Sequence, residues 1–183
     1  NNYIEVYNNG PSIPIQQKHN LENKLIYLPQ MVFSELNTSS NYDDTKDRER
    51  NGCNGVGIKL ANIFSNKFEI NIINDNKHYY QLFEDNMSKI HDPIIKPIQK
   101  EDSVSIKFYP DTNKFNLDKI DDDTKAMIYK RTYDTLLFNV NVSINNIEIP
   151  QLSFKDYCYE HIKAKKIKID PENIIYYETP KKK

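Results

Sequence analysis

Three of the chain's four glycines, Gly52, Gly55 and Gly57, fall within six residues of the stretch NGCNGVGIKLANIFS, positions 51 to 65. Without a Cβ, backbone N–H groups can approach an anion that a side chain would hold off. When such a loop runs into a helix, the free first-turn amides and the helix dipole add to the attraction. Gly55, Val56 and Gly57 lead into a run with helical spacing, and Lys59 falls in its first turn, where a cation can face the same anion. The chemistry this suits is a phosphate cradle. It is neither a Walker A sequence nor a G-x-G-x-x-G fingerprint. The competing reading is a glycine-rich turn ahead of a buried helix.

Two upstream stretches bear on that choice. VYNNGPSIP places two amides and a glycine directly after a strand, and Asn8 can offer both donor and acceptor to a purine edge. TSSNYDD, between that turn and the glycines, is a run of short hydroxyl and amide groups suited to ribose and phosphate contacts. Other chemistry-bearing residues read more blandly. Asp43 and Asp44, and Asp121 to Asp123, fit solvated turns or helix N-termini. His19, His78, His91 and His161 show no metal-ligand spacing, so no zinc site is expected. Cys53 and Cys158 make no disulfide framework and point to a reduced intracellular compartment.

The elements that must position these groups can be read from periodicity. YIEVYN alternates as a strand, with Ile4 and Val6 on one face. LPQMVFSEL predicts a short helix with Val32, Phe33 and Leu36 inward, and a polar loop of about eighteen residues follows it. From Gly57 a helix is expected to bury Ile58, Ala61 and Phe64, with Leu60 beside them. KFEINII, HYYQLFE and SVSIKFY predict an antiparallel meander. DDDTKAMIYKRTYDTLL predicts a helix with acids in its first turn and an apolar face of Ala126, Tyr129, Tyr133, Leu136 and Leu137. FNVNVSINNIEIP predicts a strand through Phe138, Val140, Val142 and Ile144, a turn at Asn145 and Asn146, and a return through Ile147 and Ile149. FKDYCYEHI predicts a last helix packing Phe154, Tyr157, Cys158 and Ile162. The order is α+β rather than a regular βαβ alternation.

Bulk properties set further bounds. At 183 residues and a net charge of −1, the chain is long enough for one domain and carries no overall electrostatic footprint for nucleic acid. The basic runs KAKKIK and KKK near the end read as a solvated face or tail. No apolar run approaches membrane-spanning length. The chain opens on a strand without an initiator Met and stops after ENIIYYET, so it reads as a piece of a larger protein. Its even richness in Asn, Ile, Lys and Tyr looks like an AT-rich codon bias, which would suit a large DNA virus or an AT-rich protist.

Taken together, VYNNGPSIP, NTSSNYDD and NGVGIKLANIFS resemble the nucleotide-binding motifs of eukaryotic-type type IIA DNA topoisomerases, members of the GHKL (Bergerat-fold) ATPase superfamily. FEDNMSKI, VSIKFYPDTNKFN, DDDTKAMIYKRTYD and FKDY are similar to later segments of the same domain, so the resemblance covers most of residues 1–165. It implies an α+β sandwich with a mixed, mainly antiparallel sheet and helices on one face. It implies a partial ATPase domain over 1–165 and the start of a transducer domain over 166–183. By the same resemblance Asn8 would contact the adenine–ribose end, and Ser39, Ser40 and Asn41 would bond sugar and phosphate. Gly52, Cys53, Asn54, Gly55, Val56, Gly57, Ile58 and Lys59 would wrap the triphosphate.

Three departures stand out: Ser12 replaces a second glycine of the first motif, Cys53 an arginine, and Val56 a tyrosine. In the family, the water-activating glutamate and Mg²⁺-binding asparagine belong to a helix that would precede Asn1, and the γ-phosphate lysine to the transducer beyond Lys183. This piece is therefore expected to hold ATP with Mg²⁺ but not to hydrolyse it, and to contain neither catalytic nor metal-ligating residues of its own. In the parent enzyme, ATP capture would close a homodimer gate so that one DNA duplex passes through a break in another. The place would be the nucleus of a eukaryote, or the host cytoplasm or nucleus for a virus. The alternative is a GHKL-fold module that binds nucleotide without hydrolysis, or only keeps the fold.

Overall fold

Apolar residues at every second position of the longest strand dictate a sheet with one buried face. The computed structural model describes residues 2–36, 38, 55–165, 175 and 177. These fall into two compact units, Asn1–Lys119 and Ile120–Lys183. In the first, the strands are β1 (Ile4–Asn8), β2 (Gln17–His19), β3 (Leu25–Tyr27), β4 (Ser65–Asn74), β5 (Lys77–Glu84), β6 (Lys89–Ile90), β7 (Ile94–Pro97) and β8 (Ser103–Pro110). Its α-helices are α1 (Leu28–Ser34) and α2 (Gly57–Ile63).

The main sheet runs β1-β8-β4-β5-β6, with β7 also on β5, and every pairing among the described residues is antiparallel. A simple meander would put β8 beside β5; instead β8 lies on the other edge of β4. The sequence alternation specifies which face is buried but not which edge a strand joins. Asp75 and Asn76, both at positive φ, supply the two-residue turn from β4 to β5. Register sets three rows on the buried face: Ile4–Phe108–Phe68–Phe83, Val6–Ile106–Ile70–Gln81, and Asn8–Val104–Ile72–Tyr79. Phe33 of α1 meets Phe68 ring to ring, and Ile58 and Ala61 of α2 pack on the same cluster. The helices thus lie on the face to which Asn8 belongs.

Both helices differ from their predicted faces. α1 ends at Ser34, so Leu36 lies beyond it and is exposed, while Phe33 is buried as expected. In α2 the fully buried side chains are Lys59 and Asn62, whereas Leu60 is 44% exposed and Phe64 36%. Leu60, Ala61, Phe64 and Ser65 of this region line an open apolar groove of about 270 Å³ with Phe108, Pro110 and Phe115.

The second unit holds α3 (Asp122–Thr135), β9 (Val142–Ile144), β10 (Ile147–Ile149) and α4 (Phe154–Ala164). Asp121 caps α3, its carboxylate accepting from the Thr124 amide at 2.8 Å, which bears out the helix-N-terminus reading of that acidic run. The predicted apolar face does not hold: no residue of α3 is buried, and Leu136 reaches 1% exposure only in the 3-10 turn after it. The predicted strand from Phe138 is shortened to β9, because residues 136–138 form that turn and Asn139 adopts a left-handed conformation. The turn at Asn145 and Asn146 is present, both at positive φ. In α4, Tyr157, Cys158 and Ile162 are half-buried, but Phe154 is exposed. The expected boundary after residue 165 adjoins residues outside those described.

Candidate functional site

The described part of the site consists of two pieces on the same face of the sheet. Asn8 ends β1 opposite Val104, exposed, and the turn through Gly10 begins there. Gly55, Val56, Gly57, Ile58 and Lys59 form the entry to α2 and its first turn. Ser39, Ser40, Asn41, Gly52, Cys53 and Asn54 lie outside the described residues.

The two described glycines of the loop are glycines for different reasons. Gly55 has φ 59°, a left-handed conformation that costs an L residue about 1 kcal/mol or more, so the backbone path alone accounts for it. Gly57 has no such excuse. It sits at the start of α2 with ordinary helical backbone, and a Cβ built there would meet nothing within 4 Å among the described residues. Alanine would favour the helix there by about 1 kcal/mol. Among the described residues neither strain nor crowding demands the glycine, and none of them occupies the space a Cβ there would take.

Lys59 was expected to face an anion from that turn. Its side chain instead folds inward, only 2% exposed, and the ammonium donates to Thr38 Oγ1 at 2.9 Å and to the Gly55 carbonyl at 2.8 Å. Thr38 in turn donates to the Glu35 carbonyl at 3.1 Å. Burial pushes the Lys59 pKa below its ordinary value, and the Glu35 carboxylate partly offsets that. An ammonium has three N–H donors, and two are committed within the described residues. The bridge joins the segment after α1 to the entry of α2, the two ends of the predicted polar loop.

Apolar periodicity missed the polar groups that hold this region. Asn62, fully buried one turn beyond Lys59, donates to the Phe33 carbonyl of α1 at 3.1 Å, and its Oδ1 finds no partner among the described residues. Gln81, also fully buried, receives the Tyr79 hydroxyl at 2.5 Å and donates to Gln30 of α1 and to the His91 carbonyl. Burial drives the Tyr79 pKa far above its ordinary value, so the phenol stays a neutral donor. Ser65 donates back to the Ala61 carbonyl at 2.6 Å, closing α2 onto β4. No pattern of hydrophobic spacing carries such contacts.

No family model matches the chain. Over 166 residues, 89% of its length, it is 39% identical to DNA topoisomerase 2 of Plasmodium falciparum. The solved ATPase region of Saccharomyces cerevisiae topoisomerase II superposes with a TM-score of 0.81 at 37% identity, covering 89% of this chain. The chain is homologous to the ATPase region of type II DNA topoisomerases. The ATPase and transducer domains of DNA topoisomerase II from Balamuthia mandrillaris superpose with a TM-score of 0.77 at 32% identity. The α+β architecture is therefore the topoisomerase II ATPase fold. The chain spans 12% of the Plasmodium topoisomerase, 44% of the yeast ATPase-region chain and 41% of the Balamuthia one.

Proposed function

We propose that this chain is the ATP-binding part of a type II DNA topoisomerase, and the observation that carries the reading is Gly57. A topoisomerase II ATPase fold with a glycine that neither strain nor packing among the described residues requires has kept a bare backbone where a triphosphate would lie. Asn8 takes the adenine–ribose end, and Ser39, Ser40 and Asn41 the sugar and phosphate. Residues 52–59 wrap the triphosphate, mainly through amides. The described residues fit the nucleotide in one testable respect: none of them comes within 4 Å of where a Gly57 Cβ would stand, so none would hold a phosphate off that backbone.

Mg²⁺ fits less directly. Among the described residues no group of three or more His, Cys, Asp or Glu could hold a metal ion; by the resemblance, Mg²⁺ would be held by the nucleotide's phosphates and the asparagine of a helix preceding Asn1. In the whole protein, ATP capture closes a homodimer and duplex DNA passes through the gate, inside the cell. No described helix is long and apolar enough to cross a membrane. Residues 1–165 belong to the ATPase domain and 166–183 begin the transducer. One observation favours the competing reading, a structural module: the Lys59 ammonium is turned inward.

Gly57→Ala separates the two readings. For an ATP site, the variant folds as well as the parent but binds a non-hydrolysable ATP analogue roughly tenfold or more weakly in equilibrium titration, the added methyl displacing at least one charge-assisted amide contact. Equal binding, or no uptake by the parent chain, sinks the ATP site and leaves the loop to the fold.

A further inference from the structure

The inward Lys59 ammonium grips a carbonyl that belongs to the glycine loop itself. A peptide bond is planar, and in its trans form the carbonyl and the following N–H point to opposite sides. No peptide among the described residues is cis. The Gly55 carbonyl and the Val56 N–H share one such plane. With that carbonyl held by the buried ammonium at 2.8 Å, the Val56 N–H points away from Lys59. It takes no acceptor among the described residues. Gly55 is exposed, and glycine has the widest backbone freedom of any residue, so without the ammonium this plane could turn over. It would then offer an anion an oxygen in place of an N–H. The grip is anchored from its far side: the same ammonium donates to Thr38 at 2.9 Å, and Thr38 to the Glu35 carbonyl at 3.1 Å. Gly55 at φ 59° followed by Val56 in the right-handed region is also the order that turns successive N–H groups toward one concave side.

We infer that Lys59 is a positioning residue, which serves the phosphate site by holding the Gly55 carbonyl inward and so keeping the Val56 N–H turned out. Its charge does not touch the phosphate. The inference rests on the ATP reading above, and it gives the inward ammonium a task within an ATP site. A donor fixed before the ligand arrives spares binding the entropy of fixing it then.

The test follows the nitrogen-labelled chain by NMR while a non-hydrolysable ATP analogue is titrated in. The Val56 amide resonance should move with saturation while the Lys59 ammonium resonance holds its place. An ammonium that moves beside an amide that stays would make Lys59 an ordinary phosphate ligand and overturn the inference, with no variant needed. Lys59→Met keeps the length of the side chain and loses its donors. It should bind the analogue roughly fivefold more weakly, the worth of one peptide left free to turn, and its Val56 amide should no longer respond. Lys59→Arg, which restores a cationic donor, should recover part of both. A merely structural lysine would lower the melting temperature of the methionine variant and leave its affinity and Val56 response as in the parent. That result overturns the inference while ATP binding stands. If no resonance of the parent chain responds to the analogue, the ATP reading itself has failed and this inference falls with it.

Discussion

Helices α2 and α3 are held by opposite means. α3 is written locally: a carboxylate N-cap at Asp121, acids in its first turn, and Lys130 paired with Asp134 at 2.8 Å one turn on. None of its residues is buried. α2 has no side-chain cap and only seven residues, yet Lys59 and Asn62 on it are almost fully buried and bond to Thr38, Gly55 and Phe33. Isolated helices of that length are not stable in water, so α2 exists through its tertiary contacts. The helix entered from the glycine loop is thereby coupled to the core, whereas a locally specified helix can be altered with little consequence elsewhere.

That contrast can be broken from the core side first. Phe68 is fully buried among the rings of Phe33, Phe83 and Phe108, so Phe68→Ala should cost about 3–5 kcal/mol in urea unfolding. A cost near zero would mean that the sheet does not support α1 and α2 as described. Next in size, Asn62→Ala leaves the Phe33 carbonyl without its donor and should cost about 1–3 kcal/mol. Chemical denaturation settles this, and an unchanged midpoint would show that the α1–α2 link is dispensable.

On the α3 side the effects are smaller. Hydrogen bonds from Lys130 and then from Tyr157 hold the Asp134 carboxyl below its ordinary 3.8. Its stabilising contribution is therefore complete above 3.8 and disappears as pH falls through the lowered folded value. Thermal melts of the parent and Asp134→Asn should differ at neutral pH and converge in strong acid; a gap independent of pH would contradict the ionic pairing. Smallest of all, Tyr133→Ala, at a half-exposed position of α3, should shift stability within about 0.5 kcal/mol. A larger loss in the same melts would show that α3 is held by packing after all.

The same contrast explains what could be read from the sequence. The glycine loop, the amide turn at Asn8 and the capped start of α3 are local patterns, and each was legible as letters. The strands β4, β5 and β8 were legible from alternation, but not the edge of β4 that β8 joins. The buried Lys59 and Asn62 were not, because an apolar reading of α2 assigns the core to Ile58, Ala61 and Phe64. Nor was the bond from Ser12 to Ser103, since nothing in either neighbourhood names a partner 91 residues away.

Strand β1 has one further consequence, in the order of assembly. Among the described residues its only strand partner is β8, Ile4 opposite Phe108 and Asn8 opposite Val104. A ribosome adding roughly 5–20 residues per second needs about 5–20 s to travel from one to the other. During that interval the β4–β5 hairpin can form from neighbouring chain, while the strand carrying Asn8 has nothing to pair with. Closure over such a sequence separation is the slow kind of contact. The turn proposed to recognise the base is therefore among the last parts of this unit to exist on the nascent chain, and nucleotide would find no pocket before the sheet is finished.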